Sequence, residues 1–407
     1  MLEYILISIT TIIILFFAYI KIKYPFWNIQ PVYHTYNWWS RSPSIVYNNK
    51  PYPTKFLDFI NINTEQYLNQ NDYSREKILN LIQNCYNSND NIVYYIKLPD
   101  IDAFFTGQSE PSIISIYNEL YFDKIQDTIQ PAILNPYGII TSRHLKFYIK
   151  PSLYDNVFID YNIYFIDFLG IHREKEQIIN RRKLLQTHEY NQRFKNPNVL
   201  ISLIKKDKEL FEGIVPFINY ETNVYKLTDF KLPNISLEYS IIELTNKNIN
   251  DYLDFFYNDN DISHKTILFD TMIFPDIGNI LEQLKTRNLY IFCIKNKENV
   301  LGFYFFKNDK TYYEDLDCNT IRCISSIMNC KNTDVFFSGF LYSLRKILKR
   351  EADYKILVFE NICHNHIIHN IWQNKYCPIY TYQSAYYLYN YIYPGSPLNH
   401  TRCFVLM

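Results

Sequence analysis

The chain has no net charge and little glycine. Its 41 Lys and Arg residues balance 41 Asp and Glu residues, and only 8 of its 407 residues are glycine. A neutral chain lacks the positive field that would hold a polyanion, so we expect no nucleic-acid partner. Apolar residues make up 48% of the sequence, which is enough for a large core and excludes a disordered protein. The length predicts two globular units or one large one.

The eight cysteines include no CxxC pair, and seven of them follow residue 290. In a long chain this usage indicates free thiols in a reducing compartment rather than a disulfide framework. One Cys/His cluster, Cys363 with His366 and His369, has a spacing that would place the side chains on one helix face. No second pair of ligands completes a zinc site, so we expect no metal.

The N-terminus carries the one long apolar run. Residues 4–20 are uncharged, and Lys21 and Lys23 follow directly. This length is at the lower limit for a helix that spans a bilayer, and flanking lysines and aromatics extend it. Residues 1–22 therefore predict a transmembrane anchor; a cleaved signal peptide and a buried core helix are the alternatives. Because the basic residues follow the run, we expect a single-pass membrane protein whose globular part faces the cytosol.

The rest of the chain has mixed α/β patterning. Residues 138–149 and 157–171 are rich in β-branched and aromatic residues and predict a long hairpin. Residues 65–85 and 335–349 have helical spacing of their apolar positions. The order of elements in the first half recurs in the second, with a joint near residues 227–237, so we expect two α/β halves.

Three segments together point to one family. They are FWNIQPV at residues 26–32, IDFLGIH at 166–172, and YYLYNY at 386–391 with FVLM at the end of the sequence. In this order they resemble the N-myristoyltransferases, which carry FWxTQPV, INFLCVH and YYLYNW. The resemblance implies an α/β fold, a tandem of two acetyltransferase-like (GNAT) mixed-sheet halves preceded here by the transmembrane helix. The halves would be residues 23–232, with the acyl-CoA site, and 233–407, with the peptide site.

The resemblance also implies site residues and substrates. Acyl-CoA, as myristoyl-CoA, would be the co-substrate, and Tyr24, Phe26 and Trp27 would hold its adenine and phosphate end. The backbone amides of Phe168 and Leu169 would polarise the thioester carbonyl. The C-terminal carboxylate of Met407 would act as base toward the N-terminal glycine amine of a peptide or protein substrate. The side-chain change of Asp167 for Asn would leave the main-chain amides in place.

One part of the family pattern is altered. The segment after His172 should hold the CoA pyrophosphate, but no glycine lies between Gly170 and Gly213, and Glu176 brings a negative charge. Arg181, Arg182 and Lys183 still supply positive charge for that anion. Three functions therefore remain: an active N-acyltransferase, a weak or inactive relative that binds acyl-CoA or peptides, and an N-acetyltransferase of small substrates.

Overall fold

A computed structural model describes residues 2–86, 92–121, 124–125, 128–129, 133–155, 157–175, 177–228, 230–257 and 262–407. The helices are α1 (Leu2–Lys23), α2 (Asp72–Tyr86), α3 (Leu98–Phe105), α4 (Ile178–Lys195), α5 (Asn250–Tyr257), α6 (Ile262–Leu268), α7 (Ile277–Lys285), α8 (Thr333–Arg350) and α9 (Asn365–Trp372). The strands are β1 (Ser44–Ile45), β2 (Ile62–Gln66), β3 (Ile92–Tyr94), β4 (Ile113–Tyr121), β5 (Lys124–Ile125), β6 (Thr128–Ile129), β7 (Ile133–Ile149), β8 (Ile159–Ile171), β9 (Ile201–Asp207), β10 (Ile218–Lys226), β11 (Tyr239–Leu244), β12 (Thr271–Phe274), β13 (Leu289–Asn296), β14 (Asn299–Tyr313), β15 (Cys318–Met328), β16 (Tyr354–Glu360), β17 (Tyr380–Tyr389), β18 (Tyr391–Ile392) and β19 (Cys403–Val405).

One mixed sheet of 15 strands runs through the described chain. Its main path is β11-β13-β14-β15-β16-β10-β17-β9-β8-β7-β12-β19, and β2 and β4 extend it beyond β7 while β3 pairs with β14. The predicted hairpin is confirmed, because β7 and β8 pair antiparallel from Ile149↔Ile159 to Gly138↔Ile171. The predicted helix at 65–85 begins too early. Residues 62–66 pair with β4 instead, and α2 begins at Asp72.

The same strand–helix–strand unit occurs twice, as β8-α4-β9 and as β15-α8-β16. In each unit the two strands are parallel neighbours, as a helical crossover requires. The sequence explains α8: the Asn332 side chain accepts the N–H groups of Asp334 and Val335 at its start. Phe336 and Phe340 lie one turn apart on its buried face, so the helix packs firmly on the sheet.

The two halves exchange their last strands. β10, which follows β9, pairs antiparallel with β16, while β17, which follows β16, pairs antiparallel with β9. β10 and β17 also pair with each other, so the two units share one continuous sheet. The parallel pairing of β8 with β9 covers only Ile163–Ile166 of β8. Beyond Ile166 the two strands have no parallel pairing, and a cleft lies there.

Helix α1 stands apart from the core. Residues 3–19 are all exposed, and Ile20 is the buried residue of its last turn. The segment Glu3–Lys23 is long and apolar enough to cross a membrane, with a mean hydropathy of 2.4. A signal sequence has the same length and composition, whereas the exposure excludes the other alternative, a buried core helix.

Candidate active site

A cleft of about 790 Å³ lies where β8 and β9 stop pairing. Its walls come from the segment after α1, from β8, α4, β9, β14, β15, β16 and β17, and from the C-terminal residue. Eight of the nine site residues expected from the sequence line this cleft: Tyr24, Phe26, Trp27, Phe168, Leu169, Arg181, Arg182 and Met407. The ninth, Lys183, is not part of the lining; its Nζ lies 3.0 Å from Oδ2 of Asp58.

Strand β8 carries a bulge at the cleft. Phe168 and Leu169 stand opposite the single residue Ile140 of β7, between the pairs Thr141↔Asp167 and Ile139↔Gly170. Phe168 has a φ of 46°, a left-handed conformation that is uncommon for a bulky residue and costs about 1 kcal/mol or more. Such strain persists where the surrounding packing enforces it, and it re-aims the local main chain. The Phe168 ring is buried among those of Phe104 and Phe105.

The amide of Phe168 is engaged by a carboxylate. Its N–H donates to Oδ1 of Asp167 over 3.1 Å, and Oδ2 of the same carboxylate lies 3.6 Å from Nε of Arg143. Arg143 is completely buried, and its three guanidinium nitrogens make no hydrogen bond with the described residues. Asp167 is therefore held between a main-chain donor and a buried cation.

A second cation lies beside this carboxylate. Lys307, on β14, lines the cleft, and its Nζ lies 5.2 Å from the centre of the Phe104 ring. Burial lowers the pKa of Lys307 to about 8, although the charge of Asp167 opposes that shift. An amine with this pKa exchanges protons near neutral pH, which ordinary lysines do not. Sequence reasoning missed Lys307 and Arg143, because neither belongs to a motif or a local spacing.

A buried ion network forms another wall of the cleft. Glu360 on β16 accepts from Nζ of Lys205 over 2.5 Å and from Nη1 of Arg322 over 2.9 Å. The Tyr220 hydroxyl donates to its other oxygen over 2.7 Å, and Asp309 accepts from Nε of Arg322 over 2.7 Å. Burial alone would raise the pKa of Glu360, but the two cations hold it below its usual value. These charged residues come from four strands, β9, β14, β15 and β16, and are spread along the chain from residue 205 to residue 360. No local spacing in the sequence could therefore have indicated the network.

The aromatic segment after α1 packs onto the cleft. Phe26 contacts Phe56 at a ring distance of 5.1 Å, and Trp27 contacts Phe211 at 4.7 Å. The Arg182 guanidinium carbon lies 5.7 Å from the centre of the Phe26 ring.

Two of the three sequence segments meet in space. The hydroxyl of Tyr389 donates to Oε1 of Gln30 over 2.6 Å, and Val32 forms a β-bridge with Tyr389. The FWNIQPV segment and the YYLYNY segment are thus direct neighbours, although more than 350 residues separate them along the chain.

Helix α4 brings its first turn to the cleft. Gln177 precedes the helix and makes no side-chain cap, and the first turn has no acidic residue. Arg181 and Arg182 line the cleft just after this start. Main-chain N–H groups and cations at a helix start suit a phosphate group. Glu176, the acidic substitution noted in the sequence, lies outside the described residues.

Met407 lies in the cleft with only 6% of its surface exposed. It follows β19, which pairs parallel with β12, and the Leu406 N–H donates to the Ile273 carbonyl over 2.8 Å. The last residues are therefore fixed by sheet hydrogen bonds up to the cleft wall.

No group of three or more His, Cys, Asp or Glu side chains among the described residues is placed to hold a metal ion. Within the cluster singled out in the sequence, Cys363 is buried, and Nε2 of His369 is hydrogen-bonded to the Tyr225 hydroxyl at 2.8 Å.

Comparison with known proteins shows the fold. No family model and no curated protein sequence matches the chain. Saccharomyces cerevisiae N-myristoyltransferase with bound myristoyl-CoA superposes with a TM-score of 0.66 and 11% identity, over 94% of this chain and 99% of the other. A structure of the same enzyme with myristoyl-CoA and inhibitors gives 0.65 and 10% identity, over 94% and 96% of the two chains. The chain therefore has the mixed α/β fold of this N-myristoyltransferase, in which one strand–helix–strand unit occurs twice here, with a candidate membrane helix before it.

Proposed function

We propose that the protein is an N-acyltransferase that moves a fatty acyl group from acyl-CoA to the N-terminal glycine amine of a peptide. The observation that supports this most is that the β8 bulge, the basic start of α4 and the aromatic segment after α1 face one cleft. In the proposed assignment residues 23–232 supply the acyl-CoA side and residues 233–407 the peptide side. Myristoyl-CoA is the co-substrate we propose, because the fold is shared with an enzyme that binds it.

The proposed reaction needs no protein nucleophile, since a thioester is already activated. The CoA phosphates bind at Arg181 and Arg182, and the acyl carbonyl oxygen points to the main-chain amides of Phe168 and Leu169. A carboxylate carried by Met407 takes a proton from the glycine ammonium, and the neutral amine attacks the thioester carbon. The main-chain amides hold the charge of the intermediate. The C–S bond then breaks, the CoA thiolate takes the proton held by Met407, which restores the carboxylate, and the amide nitrogen releases its remaining extra proton to solvent.

One observation favours a second function. The Phe168 N–H that should stabilise the thioester oxygen is occupied by the Asp167 carboxylate. A site blocked in this way would still bind acyl-CoA or a peptide but would transfer the acyl group poorly. The alternative proposal is therefore a binding module with the same cleft. A small-substrate N-acetyltransferase is less well supported, because it would not need the aromatic segment at the cleft.

For the location of the protein, we propose that α1 is retained and spans a membrane once, with the globular part in the cytosol. The exposed apolar surface of α1 and the lysines of its last turn support this.

The test is mass spectrometry of a glycine-initiated peptide incubated with myristoyl-CoA and the full chain in detergent. We expect a mass gain of one acyl chain, and no gain on the matched peptide that begins with alanine. Adding two residues after Met407 should abolish the gain while leaving acyl-CoA binding intact. Acyl-CoA binding without any product would instead establish the binding module, and the absence of both would reject the cleft assignment.

A further inference from the structure

Two adjacent tryptophans, Trp38 and Trp39, are exposed on the surface. Their exposed fractions are 84% and 54%, and their rings contact edge to face at 5.9 Å. Side chains of this size usually bury most of their area, because each supplies a large hydrophobic gain. At a membrane–water interface, however, tryptophan is enriched, since its ring is apolar while its N–H stays hydrated. The pair is therefore typical of a surface that meets lipid.

The fold brings this pair close to the end of α1. A Cβ atom on Gly213 would lie 2.7 Å from the Tyr24 ring, so that ring lies directly against residue 213. The Thr35 N–H donates to the Gly213 carbonyl over 3.2 Å. Residues 24 and 35 thus meet at one glycine, and Trp38 follows only three residues later.

The connection between α1 and the core is stiff. The Tyr24 N–H donates to the Ile20 carbonyl over 2.9 Å, and the Asn28 N–H donates to the Tyr24 carbonyl over 3.0 Å. Ile20 is 5% exposed, so the last turn of α1 already packs on the core. Because no flexible linker intervenes, a bilayer crossed by α1 would meet the globular part at one fixed place.

The exposed charge of residues 24–60 is positive, whereas the exposed Glu209 and Glu212 precede Gly213. Between residues 24 and 60 the charged residues are Arg41, Lys50, Lys55 and Asp58. The three cations are exposed, whereas Asp58 is buried and paired with Lys183. Cations near a bilayer are attracted to anionic lipids. Aromatic and cationic side chains on one segment together fit the headgroup layer of an anionic leaflet.

We propose that Trp38 and Trp39 insert into the headgroup layer of an anionic membrane and hold the cleft against it. This proposal rests on α1 being a membrane span, but it does not depend on catalysis. Lys23 and Tyr24 line the cleft, so this part of its wall lies at the level where α1 leaves the bilayer. Under the proposed function, the cleft would then receive acyl-CoA from the membrane surface and release the acylated product there.

Tryptophan fluorescence of the full chain in vesicles of phosphatidylcholine and phosphatidylserine tests the proposal. Helix α1 contains no tryptophan, and the other two are the half-buried Trp27 and the buried Trp372. We expect lipids spin-labelled near the headgroup to quench roughly half of the emission, and aqueous iodide to quench little. The variant Trp38→Ser/Trp39→Ser should lose the quenching by spin-labelled lipid.

A matched control moves the probe away from the membrane. Tyr154 is 95% exposed in the turn between β7 and β8, and the bulge at the cleft lies toward the other end of β8. In the double-serine background, Tyr154→Trp should be quenched by iodide and not by the labelled lipid. Vesicle flotation of the same samples reports whether α1 is inserted. Iodide access to Trp38 and Trp39 in floated vesicles would overturn the docking, and failure to float would overturn it together with the membrane span.

Discussion

Replacing Lys307 by methionine should stabilise the protein at neutral pH, although it removes a residue of the cleft. The pKa of Lys307 is about 8 in the fold, compared with 10.5 for an unperturbed lysine, because burial penalises its charge. This difference corresponds to roughly 3 kcal/mol of unfolding free energy lost at pH 7. Unfolding entropy is about 2.1 cal/mol/K per residue, so for a chain of this size the gain is about 4 °C in Tm.

The pH dependence follows from the direction of the shift. Below pH 8 Lys307 is protonated in both the folded and the unfolded chain. The full free-energy cost of burying its charge then destabilises the folded state. Between pH 8 and 10.5 the unfolded state binds more protons, so the stability of the wild type rises with pH and the advantage of Lys307→Met shrinks to zero. Differential scanning fluorimetry of both proteins in detergent from pH 6 to 10.5 measures this. A variant less stable than wild type at pH 7, or an advantage that does not change with pH, would refute the reasoning.

Three further predictions concern the cleft and the segment after α1. Arg182→Ala should weaken acyl-CoA binding roughly 10- to 150-fold in calorimetry, since a charge-assisted contact contributes about 1.5–3 kcal/mol, whereas Lys183→Ala, whose partner is Asp58, should change it less than twofold. Gly213→Ala should lower Tm, because φ is +82° and the new Cβ would lie 2.7 Å from the Tyr24 ring; an unchanged Tm would show that the segment shifts freely. Glu360→Gln should cost roughly 3 kcal/mol of unfolding free energy, as it removes the buried carboxylate that Lys205 and Arg322 share and leaves Arg322 with Asp309 alone; chemical denaturation with a loss below 1 kcal/mol would contradict this.

Strong local patterns predicted the elements that depend on them. The β7–β8 hairpin and helix α8 have long periodic apolar runs, and both occur within a few residues of the expected positions. Strand β15 was not predicted, because its sequence CNTIRCISSIM mixes polar and apolar residues, and it is a strand because it pairs with β14 and β16. The start predicted for α2 was too early for a similar reason. Residues 62–66 are strand because β4 offers them hydrogen bonds, which overrides local propensity.

The residues of the candidate site likewise fall into those that the sequence predicted and those that it did not. Residues that belong to a motif, such as Trp27, Phe168 and Met407, were expected from the sequence, and the structure brings them to one cleft. Lys307, Arg143 and Glu360 were not, since their significance comes from burial and from partners on other strands. A charged residue within a strand looks like any solvent-facing position until the fold shows that it is buried.

The choice between enzyme and binding module depends on where the Asp167 carboxylate lies when acyl-CoA is bound. A carboxylate and a developing oxyanion cannot share the Phe168 N–H, because both are negative and both require that donor. The fold supplies another position for the carboxylate. Arg143 lies 3.6 Å from Asp167 and forms no hydrogen bond with the described residues, and the Lys307 ammonium adds positive charge nearby. A rotation of Asp167 toward Arg143 would replace a long ion pair by a hydrogen-bonded one and release the amide. The buried Arg143 and the half-buried Lys307 therefore both favour the arrangement in which the site can act.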